Sequence, residues 1–255
     1  MRVVWLASYP KSGNTWLRFL IYSYLYGEPE GSNQVAQTIP DIHAMGGYQP
    51  PENANRVFIK SHFLLGPQHP LAQFTAGFIY VLRHPKDVLL SNLNFYRMHA
   101  EGRFDEVAFA RTYIERLGAP QWIDLGMGNW VQHAASWMDG VPRMPSLVLR
   151  YEDLKSDPET HMTRVAEFIE GTADPERVRR AVAASSLSSM SRMERRERKK
   201  GEESVVFHID AKTGGAEQRF VNKGLSGQSL AHLGAEVEDA FEKRFGEAMG
   251  LLGYA

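Results

Sequence analysis

Cysteine is absent from the 255 residues of this chain. Disulfide bonds, thiolate metal sites and cysteine nucleophiles are therefore excluded, and we expect a cytoplasmic protein. The opening residues lack the cationic start and apolar stretch of a secretory signal, so we expect no secretion. No apolar run reaches the roughly 20 residues that a membrane span needs, because residues 3–25 are interrupted by a polar turn. We therefore expect no membrane span.

The chain also lacks an excess of charge of either sign. Its 29 Lys and Arg residues balance 30 Asp and Glu residues. A balanced chain has no global field that would attract nucleic acid or an anionic membrane surface, so we expect no nucleic-acid partner and only local anion sites. The length and an apolar content of 43% fit one core, and we predict a single domain over residues 1–255.

Short apolar runs alternate along the chain with helical patterns. The predicted strands are Val3–Ala7, Arg56–Lys60, Gly77–Leu82 and Ser146–Arg150. The predicted helices are Trp16–Leu25, Asp87–Met98, Phe104–Leu117, Asn129–Met138, Pro158–Ile169, Glu176–Ala184 and Gly234–Met249. This alternation predicts an α/β fold, with a central parallel sheet of about four or five strands flanked by helices. The stretch Gly27–Ala54 predicts an irregular excursion with one short helix, and the charge run Arg192–Lys200 predicts a mobile segment.

A polar turn, SYPKSGNTW at residues 8–16, separates the first predicted strand from the first helix. A helix start offers unpaired N–H groups and the positive end of its dipole, and Lys11 and Thr15 add side-chain donors. The turn therefore predicts a P-loop-like anion site. It does not match the loop of nucleotide triphosphatases, because Lys11 precedes Gly13. The residue types alone also allow a plain helix start capped by Ser12 or Asn14.

Two further motifs follow predicted strands. In YVLRHPKDVLLS, residues 80–91, Arg83 leaves a strand end and Ser91 lies on the first turns of the next helix. Arginine supplies a planar fork for a dianion, although a surface ion pair of Arg83 and a capping role of Asp87 are also open. His62 directly follows another strand, in Lys60-Ser61-His62. A lone histidine at such a place is more often structural than catalytic.

These motifs together resemble those of the cytosolic-type sulfotransferases, which transfer a sulfuryl group from 3′-phosphoadenosine 5′-phosphosulfate (PAPS) to an acceptor hydroxyl or amine. YPKSGNTW resembles their 5′-phosphosulfate loop, and the R-x-P-x-D-x-x-x-S pattern of residues 83–91 resembles their 3′-phosphate element. The resemblance extends over residues 2–245, through GNWVQHAASW (128–137), LVLRYEDLKSDP (147–158) and FVNKGLSG (220–227). The pattern is also similar to bacterial enzymes that tailor natural products such as glycopeptides, which implies a role in antibiotic biosynthesis.

The resemblance implies a set of nucleotide contacts. They are Lys11, Ser12, Gly13, Asn14, Thr15 and Trp16 at the 5′ end, Arg83 and Ser91 at the 3′-phosphate, Tyr151, Ser186 and Leu187 at the adenine, and Asn222, Lys223 and Gly224 in FVNKGLSG (220–227), the late loop. Two residues depart from the family pattern. Asn222 stands where an arginine is usual and Leu187 replaces an aromatic residue, so we expect weaker nucleotide binding and Trp16 as the main platform for adenine.

The resemblance also implies the catalytic roles. His62 would be the general base, and Lys11, helped by Lys60, would stabilise the leaving oxygen of an in-line transfer without a metal ion. PAPS would be the co-substrate, and the acceptor a small molecule, bulky and partly apolar. The variable stretches Gly27–Ala54, Met98–Met127 and Arg192–Gln218 would wall its pocket, with residues 192–218 as an acceptor-side lid. The aromatic residues that suit such an acceptor are Tyr48, Phe95, Tyr96, Phe104, Trp122 and Phe207. A small-molecule or nucleoside kinase and a silent nucleotide-binding module remain alternatives, and the oligomeric state is not predicted.

Overall fold

The computed structural model describes residues 2–45, 55–99, 104–209, 219–221 and 224–254. Within these ranges one parallel sheet is formed in the order β2-β1-β3-β4. Its strands are β1 (Val3–Ser8), β2 (Val57–Ser61), β3 (Thr75–Leu82) and β4 (Ser146–Arg150). The predicted α/β class and parallel sheet are therefore confirmed, with four strands in the described part of the chain.

Helices cover the two faces of the sheet. Those in the described residues are α1 (Asn14–Tyr26), α2 (Ser32–Thr38), α3 (Pro85–His99), α4 (Glu106–Arg116), α5 (Pro120–Trp122), α6 (Trp130–Met138), α7 (Tyr151–Ser156), α8 (Pro158–Glu170), α9 (Pro175–Ala184), α10 (Leu187–Lys200) and α11 (Ala235–Leu251). The predicted helices correspond to α1, α3, α4, α6, α8, α9 and α11, and α2 lies in the stretch Gly27–Ala54. In the described ranges, no helix combines the length and apolar character needed to cross a membrane.

Strand β1 has a hydrophobic core on each side. Trp5 packs with residues of α3, α4, α6 and α11, whereas Leu6 packs with residues of α1, α8 and α9. Successive side chains of a strand point to opposite faces, so a central strand of a covered parallel sheet is apolar throughout. All six residues of β1 are buried accordingly. This packing fixes the strand ends at which the polar motifs begin.

The charge run Arg192–Lys200 forms the second half of helix α10. The sequence pattern predicted no helix here, and the predicted mobility of these residues stays a prediction. Met190, Met193, Glu194 and Glu197 are buried, and they follow the i, i+3, i+4, i+7 spacing of one helix face. The hydrophobicity pattern did not indicate this face, because two of its four residues carry carboxylates. Residues 210–218 of the predicted lid lie outside the described residues, and the lid remains a prediction.

The order of the strands creates a switch point at the carboxyl edge of the sheet. After β1 the chain adds β2 on one side of it and β3 on the other. Open α/β sheets bind ligands in the crevice that this reversal leaves. The polar turn, His62 and Arg83 follow β1, β2 and β3 respectively, so all three motifs meet at this crevice.

Candidate active site

The turn between β1 and α1 leaves the helix start without a side-chain cap. Gly13 is the N-cap residue, with a φ of 100°, and no side chain accepts a hydrogen bond from the first helical amides. The interpretation of a plain helix start capped by Ser12 or Asn14 is therefore wrong. The Asn14 amide group instead donates to the Leu6 carbonyl (2.8 Å) and the Ser8 hydroxyl (3.2 Å), which fastens the helix to β1. The helix presents uncapped N–H groups to the crevice.

Only glycine fits at position 13, because of the backbone conformation there and because of the neighbouring Tyr151 ring. A Cβ atom at this position would lie 2.5 Å from the ring of Tyr151, and its φ of 100° is strained for any other residue. Tyr151 follows β4 directly, and the Trp16 ring contacts it edge to face with centroids 5.8 Å apart. The turn and the two aromatic rings therefore form one continuous surface.

Two buried donor atoms in and beside the turn have no hydrogen-bond partner among the described residues. Ser12 Oγ and Arg83 Nε make no hydrogen bond, although both are buried. Folded proteins leave few such groups unsatisfied, because each costs about 1 to 3 kcal/mol. Two orphaned donors beside an uncapped helix start and a lysine fit a bound anion such as the phosphosulfate group.

Arg83 joins three parts of the crevice. Its Nη1 donates to the Lys11 carbonyl (2.9 Å) and its Nη2 to the Leu225 carbonyl (2.8 Å), and the guanidinium lies 4.2 Å from the centroid of Tyr151. The alternative of a surface ion pair is wrong, since only 7% of Arg83 is exposed. A guanidinium has five N–H donors, so donors remain for a ligand. Ser91 lies on α3 and is half-buried.

Asp87 holds the late loop. Its carboxylate accepts hydrogen bonds from the backbone N–H groups of Gly227 (2.9 Å) and Gln228 (3.2 Å). Together with the bond from Arg83 to Leu225, these bonds tie residues 225–228 to the end of β3. The capping role considered for Asp87 is therefore not its main contact, and the sequence carried no signal for this one.

Lys11 points its ammonium group between two aromatic rings. The Nζ atom lies 4.4 Å from the centroid of Phe95 and 4.5 Å from that of Phe220. Burial, with smaller contributions from Lys60 and Arg83, lowers the pKa of Lys11 to about 7. Both protonation states are thus accessible near neutral pH, and an anion in the crevice would favour the ammonium form.

His62 is held in one tautomer. Its Nδ1 lies 2.6 Å from the Ser8 carbonyl, which can only accept, so Nδ1 carries the proton and Nε2 keeps its lone pair. Burial, followed by the charge of Lys60, lowers the pKa of His62 well below 6.5. The imidazole is therefore neutral at physiological pH, as a proton acceptor must be.

Residues 41–43 support β2 beside His62. Asp41 forms an ion pair with Lys60, and His43 Nε2 accepts the backbone N–H of His62 at 2.9 Å. Although burial alone would raise it, the Lys60 ammonium holds the pKa of Asp41 below its usual range. The positive charge of Lys60 is thus partly neutralised by the Asp41 carboxylate. Sequence patterns did not indicate Asp41 or His43, because both lie in the irregular stretch Gly27–Ala54.

One face of α6 supports the ends of β2 and β3. Trp130 Nε1 donates to the Arg83 carbonyl (3.1 Å), His133 Nε2 to the His62 carbonyl (3.1 Å) and Trp137 Nε1 to the Phe63 carbonyl (3.1 Å). Both tryptophans are fully buried and belong to the hydrophobic core. The spacing of Trp130, His133 and Trp137 at i, i+3 and i+7 was the available signal for this face.

The remaining candidate residues surround Tyr151. Ser186 is the N-cap of α10, where its hydroxyl accepts the N–H of Ser189, and Leu187 is 48% exposed. A Cβ atom at Gly224 would lie 3.3 Å from Tyr151 Oη and 3.6 Å from Leu187. Tyr151, Leu187 and Gly224 are therefore neighbours. Asn222 and Lys223 lie outside the described residues.

Comparisons with solved structures support the fold. A crystal structure of mouse sulfotransferase SULT7A1 complexed with PAP matches with a TM-score of 0.69 and 20% identity, over 97% of this chain and 84% of that one. A crystal structure of retinol dehydratase in complex with androsterone and inactive cofactor PAP matches with a TM-score of 0.69 and 16% identity, over 98% and 81%. The four-stranded architecture is thus that of known sulfotransferase-like structures.

Sequence comparisons give the same result. Sulfotransferase 2A1 of Macaca fascicularis is 28% identical to this chain, over 96% of this chain and 83% of the relative. Sulfotransferase 1E1 of Homo sapiens is 25% identical, over 96% and 82%. The model of the sulfotransferase domain family matches residues 2–253. This chain therefore belongs to the sulfotransferase domain family, a family of transferases.

Proposed function

We propose that this protein transfers a sulfuryl group from PAPS to a hydroxyl group of a small-molecule acceptor, with His62 as the general base. The hydrogen bond between His62 Nδ1 and the Ser8 carbonyl carries the proposal. Ser8 is the last residue of β1 and the start of the polar turn, so this bond joins the proton acceptor directly to the anion site. A base and an anion site that share one hydrogen bond suit a transfer between two bound substrates.

The donor would span the crevice from the turn to Tyr151. The 5′ end of the donor would contact the turn, and its 3′-phosphate would contact Arg83 and Ser91. Its adenine would lie against the surface formed by Trp16, Tyr151, Ser186 and Leu187. The proposed contacts in the late loop are Asn222, Lys223 and Gly224. The orphaned Ser12 hydroxyl and Arg83 Nε–H support this arrangement, since both gain partners from an anion. The PAP complexes of structural neighbours support the same co-substrate.

Proton transfer and charge stabilisation would fall to different residues. As the acceptor oxygen bonds to sulfur, its proton passes to His62 Nε2 and the bond between sulfur and the bridging phosphate oxygen breaks. Negative charge then accumulates on that oxygen, which leaves as part of 3′-phosphoadenosine 5′-phosphate (PAP). The Lys11 ammonium would stabilise this charge, because it belongs to the same turn. Lys60 would assist after a partial release from Asp41.

The acceptor would be bulky and partly apolar. Phe95, Tyr96, Phe104 and Trp122 form a connected aromatic cluster, with Phe95 also over the Lys11 ammonium. Phe207, which was expected in this wall, is instead fully buried and stacks on Phe19. Tyr48 lies outside the described residues. The androsterone complex of retinol dehydratase supports an apolar acceptor, and tailoring of a natural product in the cytoplasm remains the proposed setting.

Nucleotide-dependent stabilisation tests the proposal. We expect PAP at 100 times its dissociation constant to stabilise the fold by about 2.7 kcal/mol, which raises Tm by roughly 5 to 10 °C. AMP, ADP and ATP at the same concentration should raise it less, because each lacks the 3′-phosphate. Sulfuryl transfer from labelled PAPS to a panel of phenols and alcohols would then establish the reaction. A larger shift with ATP and Mg²⁺ would favour the kinase alternative, and equal shifts would contradict the proposal.

A further inference from the structure

A buried carboxylate on α10 binds the backbone of the first two residues of the late loop. Glu194 is fully buried, and its two oxygens accept the N–H groups of Phe220 (2.8 Å) and Val221 (2.9 Å). Arg198 Nε donates to the same carboxylate at 3.0 Å and compensates its charge. Hydrogen bonds to an ionised acceptor are roughly twice as strong as neutral ones, so two of them hold two successive residues firmly.

The held segment carries the aromatic ring that covers Lys11. The Phe220 ring lies 4.5 Å from Lys11 Nζ, and it also contacts Phe207 at a centroid distance of 6.2 Å. An ammonium group near an aromatic face is attracted to it by the charge distribution of the ring. A displacement of the Phe220 backbone would therefore change the surroundings of the Lys11 ammonium.

We infer that Glu194 is a positioning residue of the donor site, which holds Phe220 and Val221 so that the Phe220 ring covers Lys11. Glu194 lies outside every motif that carries the family resemblance, on the helix formed by the charge run. Its effect on donor binding rests on the proposed function, whereas its hold on the backbone does not.

Glu197 provides a matched control on the same helix. It is also buried, but it accepts the N–H (2.7 Å) and the hydroxyl (2.7 Å) of Ser32 at the start of α2. Glu194→Gln and Glu197→Gln thus each replace a buried carboxylate of α10 by an amide of the same size. Only the first change places an NH₂ group against N–H donors of the segment that covers Lys11.

Hydrogen exchange and nucleotide binding test the inference together. In Glu194→Gln we expect faster amide exchange at residues 220–221. We also expect a PAP dissociation constant raised about tenfold, which corresponds to the weakening of one charge-assisted bond from Lys11 to the nucleotide. Glu197→Gln should leave both within about twofold of the wild type. In a Phe220→Ala background, Glu194→Gln should have little further effect on PAP binding, because the ring through which it acts is absent.

Unchanged exchange at residues 220–221 would overturn the inference, and so would equal losses of PAP affinity in the two glutamine variants. Faster exchange with unchanged PAP affinity would overturn the role in the donor site. Should Glu194→Gln fail to fold, Glu194→Asp keeps the charge but shortens its reach, and the same outcomes apply to it. If the wild type binds no PAP, the proposed function fails, while the exchange data still decide whether Glu194 holds the backbone.

Discussion

Replacing Lys11 by methionine should alter how stability depends on pH. Burial, followed by the charges of Lys60 and Arg83, lowers the pKa of Lys11 from 10.5 to about 7 in the folded protein. Between these pH values the unfolded chain keeps a proton on this amine that the folded chain has released. Stability therefore rises with pH across this window, because the unfolded state binds more protons. Methionine fills a similar volume and removes this titration.

The size of the effect follows from the width of the window. One proton of difference changes the free energy of unfolding by about 1.4 kcal/mol per pH unit. Between pH 7 and 9 the wild type should gain roughly 2 kcal/mol relative to Lys11→Met, since the lysine is already half deprotonated at the start. For a chain of this length, that corresponds to roughly 4 to 8 °C in Tm. Lys11→Met should be the more stable protein at pH 7, with a smaller advantage at pH 9.

Thermal unfolding of both proteins without nucleotide, followed by circular dichroism from pH 6 to 9.5, measures this difference. Comparing two proteins at each pH cancels the titration of all other groups. Lys199→Met serves as the control for removing a lysine charge at an exposed position. A constant difference in Tm between wild type and Lys11→Met from pH 7 to 9 would refute the reasoning, because Lys11 would then not titrate in this window.

Two further substitutions test the catalytic and nucleotide assignments. His62→Asn should lower kcat by about 100-fold or more, the usual contribution of a general base, with PAP affinity within about threefold of the wild type in calorimetry; a kcat near that of the wild type would reject His62 as the base. Arg83→Met should weaken PAP by about 30- to 100-fold and AMP far less, because charge-assisted bonds contribute roughly 2 to 3 kcal/mol. Equal losses for the two nucleotides would exclude Arg83 from the 3′-phosphate site.

The sequence patterns predicted the sheet and the ends of its strands well. Short apolar runs indicate buried strands, and parallel strands bring their carboxyl ends to one edge of the sheet. The proximity of Lys11, His62 and Arg83 therefore followed from three local motifs. The roles of these residues remain predictions. The sequence patterns predicted the position of each motif in the fold.

The contacts that support the site were not predictable in this way. Asp41 and Lys60 are 19 residues apart, and Glu194 and Phe220 are 26 residues apart. Such pairs carry no local periodicity, because their geometry is set only when distant segments pack together. Helix α10 was missed for a related reason: buried Glu194 and Glu197 satisfy their charges through partners elsewhere in the chain, which a hydrophobicity pattern cannot register.

Three side-chain bonds from α6 hold the backbone at His62, Phe63 and Arg83, where β2 and β3 end. These three bonds involve neither the stretch 27–54 nor the stretch 98–127, whereas Asp41 and His43 of the first stretch support Lys60 and His62 in addition. If the stretch 98–127 walls the acceptor pocket as proposed, loop exchange there should leave these three bonds in place, whereas exchange of the stretch 27–54 would remove Asp41 and His43. For enzyme engineering, the stretch 98–127 is therefore the place to vary, and α6 with residues 41–43 is the place to leave unchanged.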